Sequence, residues 1–371
     1  MKALFRLDSG AVWRSLKNRF LLALVLVFGL SFCVIAQTLG LGNLKQTLSL
    51  NHQRIQVNAA QIESAVVPSK GSKRATALQI NRQAQAFGRA YGGYVLGNED
   101  GMQTGMIELA QLQVQGAQTG YPGLKPSTLP TISAATQMRL VTQQIHARHQ
   151  RLSRRVNSAA TTLNQFWPVL LAVLPALAVA VCCDAWLMMT EHRSVTAAIP
   201  VGLAGQAATK VVTRLGLVGL AVGGSVVAAG LGGLTQGRLG DFAYPTAIAL
   251  GDRLRVMPLW GTLLLVLLMT GLVTAFVATL MLCLNLWTQN VYLSALIGVG
   301  LLSLPWLLPS LCQALWFLPL AGLAPTQVFS GALQAEAGNW ALGIGGVSVI
   351  LLGWTGAFIA LFRWTAARAA G

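Results

Sequence analysis

Few residues in this sequence have the type and spacing that chemistry requires. His146 and His149, three positions apart, could face one way on a helix and hold a metal ion, but no third Cys, His, Asp or Glu lies near them. They sit among Arg148, Arg151, Arg154 and Arg155, which reads as a polar helix face. Asp184 lies inside an apolar run, where an ionisable residue marks a functional position by default. It has no second carboxylate to relay a proton to, and it stands near the end of its run, within reach of interfacial water or Arg193. No Gly-x-x-x-x-Gly-Lys-Ser/Thr loop, His-Glu-x-x-His pair or Gly-x-Ser-x-Gly elbow occurs. The sequence therefore predicts neither ATP binding through a phosphate loop nor a catalytic constellation, and no cofactor is expected on this chain.

The elements that carry these residues are set by composition. Hydrophobic side chains make up 54% of the 371 residues and charged ones 10%, against about 25% charged in soluble domains, and the mean hydropathy is +0.60. An ordinary soluble enzyme, a disordered tail and a disulfide scaffold are excluded. About 20 apolar residues cross a bilayer core, and six runs qualify: Phe20 to Gly40, Phe166 to Met189, Leu215 to Leu234, Trp260 to Leu284, Val291 to Leu308 and Asn339 to Phe362. The fold class expected is an all-α polytopic membrane protein with six transmembrane helices. The first run is too long for a cleaved leader, so it is read as an uncleaved span after a basic segment, residues 1–19.

The charge of +16 suggests nucleic acid until the charges are sorted by side. Lys2, Arg6, Arg14, Lys17, Arg19, Arg193, Lys210, Arg214, Arg363 and Arg368 flank one set of ends, whereas the short loops opposite carry only Arg238, Arg253 and Arg255. Positive flanks stay inside, so both termini are expected in the cytoplasm. Trp167, Trp260 and Trp340 at the outer boundaries, with Trp13, Trp186, Trp287 and Trp364 at the inner ones, agree with that layout. The other thirteen Lys and Arg lie in the outer segment Leu41 to Gln165 against Glu63, Glu99, Asp100 and Glu108. An outer domain meets no chromosome, so no nucleic-acid partner is expected; anionic headgroups, wall polymers or an acidic ligand fit instead. All five cysteines lie in or beside apolar runs and no N-glycosylation sequon occurs. Both features are compatible with a bacterial plasma membrane.

Within the outer segment, apolar residues recur with helical spacing at Leu41, Leu44, Leu48, Ile55, Ala59, Ile62 and Val66, and again at Met138, Val141, Ile145, Leu152, Val156, Ala159 and Leu163. These stripes predict two helices that continue straight out of the bilayer as an antiparallel stalk. Its tip, residues 68–130, holds Ala90-Tyr91-Gly92-Gly93-Tyr94, a helical pattern from Met106 to Val114 and a Pro/Gly loop from Gly120 to Pro130. In the third span Gly216, Gly223 and Gly230 are seven apart and Gly219 stands four before Gly223. Small residues so spaced let helix backbones approach closely, within the bundle or across a dimer.

One span, a large outer domain and five further spans with a polar connection after the second resemble the permease subunits of ABC-2 type exporters. The residues that carry the likeness are Glu191-His192-Arg193, then Pro200-Val201-Gly202, then Lys210 opening the third span. Ser194-Val195 replaces the family's usual Gly-Thr, and the interval from Arg to Pro is about a helical turn short. Softer matches are a basic amphipathic N-terminus with Leu4, Phe5, Ala11, Val12 and Leu16, and the broken apolar stretch Cys312 to Gly331 in the position of an outer re-entrant hairpin.

The resemblance implies a separate ABC ATPase subunit that carries ATP and magnesium, and a second permease copy or a related one. Glu191, His192 and Arg193 are expected as polar contacts to that ATPase, with Thr196 to Ile199, Pro200 and Lys210 completing the coupling element. The substrate would be a peptide, a drug or a lipid-like molecule. The rival is a non-transport envelope protein whose outer domain acts as an attachment, receptor or scaffold module; a membrane enzyme stands third.

Overall fold

The computed structural model describes residues 2–64, 70–122, 124–125, 128–186, 202–251 and 253–370. The chain is a largely helical, polytopic membrane protein: Leu16–Thr38, Ala159–Cys182, Ala204–Leu234, Leu259–Thr288 and Ile344–Thr365 are long and apolar enough to cross a bilayer. Val291–Leu307, read as a span from sequence, has 17 residues. Pro309 follows it and opens the next helix, so the apolar run does not extend as one rod.

A short amphipathic helix, α1 (Lys2–Arg14), precedes α2 (Leu16–Thr38). After the extramembrane segment come α7 (Ala159–Cys182) and α8 (Leu203–Leu234), and these pack with α2. The side of the bundle that carries α1 is called proximal here, and the side that carries the extramembrane domain distal. Gly29, Phe32, Cys33 and Ala36 recur at helical spacing and form the buried stripe of α2. Close approach to α8 rests on glycine. A Cβ on Gly29 would stand 2.6 Å from the Ser225 carbonyl oxygen, one on Gly232 would strike the Leu30 carbonyl, and one on Gly233 would stand 2.6 Å from the Ala159 Cα. This differs from the glycine set expected from sequence. Among the described residues, a Cβ built on Gly216, Gly219 or Gly223 meets nothing within 4 Å, and one on Gly230 meets only Leu163, at 3.7 Å. The heptad glycines line an open face because α8 turns Gly224, Ser225 and Gly232 toward α2 instead.

The two expected stalk helices are not continuous with the spans. The α2 helix ends at Thr38, and Gly40 and Gly42 take positive φ of 68° and 66° before α3 (Leu44–Ser64) begins. Glycine adopts that conformation without a Cβ penalty, and the spacing of Leu41 and Leu44 hides the break in a periodicity count. At the other root, α6 (Ile132–Ala147) closes in a left-handed turn at His149, with φ of 52°, and residues 148–157 run without helix to the Ser158 cap of α7. Between them lie α4 (Lys70–Leu96) and α5 (Glu99–Thr119). The domain packs in chain order, α3 on α4, α4 on α5 and α5 on α6, around Leu48, Ile55, Phe87, Met102, Leu109 and Ile145. Ala90 to Tyr94 is a stretch of α4, and Gly105 brings α5 within 2.8 Å of the Ala90 Cα for a built Cβ.

The connection after α8, expected as a loop, forms an antiparallel hairpin, β1 (Pro245–Leu250) and β2 (Arg253–Pro258), in register from Pro245 opposite Pro258 to Leu250 opposite Arg253. The turn begins at Gly251, with φ of 71°. Beyond it, α9 (Leu259–Thr288) and α10 (Val291–Leu307) lead to three short helices, α11 (Pro309–Ala314), α12 (Pro325–Ser330) and α13 (Ala332–Ala337). The chain then closes with α14 (Ile344–Ala370). Prolines and left-handed glycines at 331 and 338 keep the short helices apart. Val328 and Phe329 are fully buried, with Phe329 against Trp167 at 5.7 Å between centroids.

The domain is fastened to this distal layer. Gln137 Nε2 and Ser133 Oγ both donate to the Ser330 carbonyl, the former at 2.8 Å. Arg148 donates to the Ala243 carbonyl at 3.1 Å, and Gln150 to Asp241 Oδ2 at 2.8 Å.

Candidate functional site

The most constrained polar cluster lies at the proximal face. Leu4, Asp8 and Val12 recur every four residues, so one stripe of α1 presents two apolar side chains and a carboxylate to α8. Across from them, Lys210 and Arg214 are four apart on α8 and therefore share a face. Lys210 Nζ donates to Asp8 Oδ1 at 3.0 Å, and Thr213 Oγ1 donates to Asp8 Oδ2. Asp184, just past the end of α7, accepts from Lys17 Nζ at 2.6 Å and faces Arg214 Nη2 at 3.5 Å.

Burial makes these contacts matter. The side chains of Lys210, Asp8 and Arg214 are 6%, 10% and 1% exposed. Ions so far from water are held only if partnered, because desolvation costs several kcal/mol per ion. Three cations share two carboxylates, and Arg214 Nε and Nη1 find no acceptor among the described residues. The cluster ties together α1, the start of α2, the end of α7 and the first turns of α8. Beside it Trp186 meets Phe362 edge-on at 5.0 Å, which joins the end of α14 to the same layer. Lys17 Nζ also reaches the buried Cys183 Sγ at 3.8 Å, so a thiol borders the cluster. Together these contacts form an ion-pair joint between α1, α2, α7 and α8.

Of the residues singled out from sequence, Lys210 is part of the joint, while Glu191, His192, Arg193, Thr196, Ile199 and Pro200 lie outside the described residues. Asp184 proves to be shared between Lys17 and Arg214. His146 and His149 do not share a helix face, since α6 stops at Ala147. His146 Nδ1 lies 3.1 Å from Gln103 Oε1 and 3.6 Å from Asp100 Oδ1. Among the described residues no group of three or more His, Cys, Asp or Glu comes together as a metal site.

No family model, curated protein or solved structure matches this chain. Sequence reasoning missed Asp8, Lys17, Thr213 and Arg214. The available signals were that Asp8 is the sole acid before Glu63, and that Lys210 and Arg214 are spaced to face one partner.

Proposed function

We propose that this chain is the transmembrane permease subunit of an ATP-binding-cassette exporter, with six spans, both termini in the cytoplasm and its domain outside the cell. The observation that carries the reading is the ion-pair joint. Asp184 and Lys210 bracket the polar connection in sequence, and each is paired to the N-terminal region, Asp184 through Lys17 and Lys210 through Asp8. A force applied to that connection by an ATPase beneath the membrane would reach α1, α2, α7 and α8 together, as coupling requires. ATP and magnesium would sit on the partner. Two copies, or this chain and a relative, would form the pathway, and the open glycine face at Gly216, Gly219 and Gly223 is available to such a seam.

Purification from native membranes tests this. An ATPase with a phosphate loop should accompany the chain; Asp8→Asn, which breaks the pair with Lys210, should leave the ATPase bound while transport and ATP hydrolysis uncouple, and exchanging the charges of Asp8 and Lys210 should restore the coupling. If no ATPase accompanies the chain, the proposal fails. The fastening of α6 to the distal layer through Ser330 and Ala243 favours a second reading, in which the domain itself is the working part of an envelope scaffold or receptor. Deleting residues 70–130 separates the two: a scaffold loses all function, whereas an exporter keeps its coupling to the ATPase.

A further inference from the structure

Beside the joint, α8 and α14 each pack along α9 but barely meet one another. The gap is a cavity of about 260 Å³ that includes Ala204, Ala207, Ala208 and Val211 on one wall and Phe358 and Phe362 on the other. Its interior offers a ligand no free donor, since the only hydroxyl in the lining, on Thr279, directs its proton to the Ala275 and Phe276 carbonyls at 3.0 and 2.9 Å. A polar ligand would therefore lose its water with little replacement, whereas an apolar one loses little.

The mouth is flanked by Val212 and Ile359, exposed at 52% and 41%, so it opens along the apolar flank of the bundle. At the proximal rim stands Arg363, the one charged residue of the lining. The two described carboxylates at this end, Asp8 and Asp184, are already engaged by Lys210, Thr213, Lys17 and Arg214. An exposed guanidinium with no acid to spend itself on among the described residues is matched by a phosphate, which it can grip with two parallel donors. A helix about 10 Å across does not fit the cavity, but a single hydrocarbon chain does.

We infer that the cavity between α8, α9 and α14 binds one acyl chain of an anionic phospholipid whose phosphate is held by Arg363. The site combines an apolar slot open to the bilayer with a cation at headgroup depth, the arrangement by which spans select anionic lipid. It does not depend on the exporter reading, since any polytopic chain with this geometry would hold the same lipid.

Native mass spectrometry of the full chain, released from detergent after incubation with dioleoyl phosphatidylglycerol or dioleoyl phosphatidylcholine, tests it. The wild type should retain one phosphatidylglycerol in preference to phosphatidylcholine by about tenfold. Ala208→Trp fills the slot from its exposed side and should lose both lipids. Arg363→Gln should keep the slot and lose the preference. Both positions are exposed, and circular dichroism with size exclusion checks that the variants fold. Leu296→Trp, on the exposed face of α10, should change nothing. Equal retention of the two lipids by the wild type, undiminished binding in Ala208→Trp, or displacement of phosphatidylglycerol by inorganic phosphate alone would each overturn the assignment.

Discussion

Two ion pairs of the same chemistry sit at opposite ends of this molecule. Lys210 and Asp8, at the proximal face, are 6% and 10% exposed, whereas Arg89 and Glu108, on the outer surface of α4 and α5, are 58% and 36% exposed. The Arg89 pair is the shorter, 2.6 Å against 3.0 Å, yet water and salt screen it and its worth is about 0 to 1 kcal/mol. The Lys210 pair has no such solvent to fall back on. Distance alone therefore misranks them, and burial decides which one the fold depends on.

The sharpest way to break this contrast is to remove one partner at each end. Lys210→Met leaves Asp8 buried with only Thr213, and should cost about 3–5 kcal/mol, seen as a large drop in thermal midpoint in detergent; a drop no larger than that of Arg89→Ala would refute the ranking. Next in size is glycine packing. Gly29→Leu forces α2 off Ser225 and should cost about 1–3 kcal/mol, while Gly219→Leu, with open space around it, should stay within about 0.5 kcal/mol in the monomer. A large loss at Gly219 would instead locate an interface between copies.

Smaller again is Tyr121, whose hydroxyl accepts from Gln83 at 2.8 Å in the domain core. Burial raises its pKa, partly opposed by that hydrogen bond. A raised pKa means the folded state favours the protonated phenol. The contribution is complete below the unfolded value of about 10 and declines as pH rises through the folded one. Hydrogen exchange of α4 and α5 in the full chain should report loosening at alkaline pH that Tyr121→Phe reduces, at a cost of about 1 kcal/mol at neutral pH. Last, Arg89→Ala should cost less than about 1 kcal/mol, and even that should vanish in high salt.

Much of the architecture is legible in the sequence because length and apolarity are local properties. Leu16–Thr38 and Leu259–Thr288 announce themselves by composition alone. The joint is a different matter. Asp184 draws notice as a lone acid in an apolar run, but its partner Lys17 lies 167 positions away, and no periodicity reports that proximity. The glycines of α8 illustrate a subtler limit. Their spacing tells that one face is smooth, while which face meets α2 is set by Gly29 and Ser225 together. Periodicity also runs straight through Gly40 and Gly42, since a left-handed break of the right length preserves the apolar count on either side. The hairpin carried a readable turn at Gly251, obscured by its position between two long apolar runs.

The cysteines gain a use from their burial. Cys33, Cys182, Cys183, Cys283 and Cys312 are all unpaired and all packed inside the protein, so in the resting fold a water-borne thiol reagent meets almost nothing to react with. The natural chain thus supplies its own dark background for labelling. A cysteine placed at Gly216 or Ala208 would stand out without removing any of the five, and any native thiol that becomes labelled would mark a helix seam that has parted.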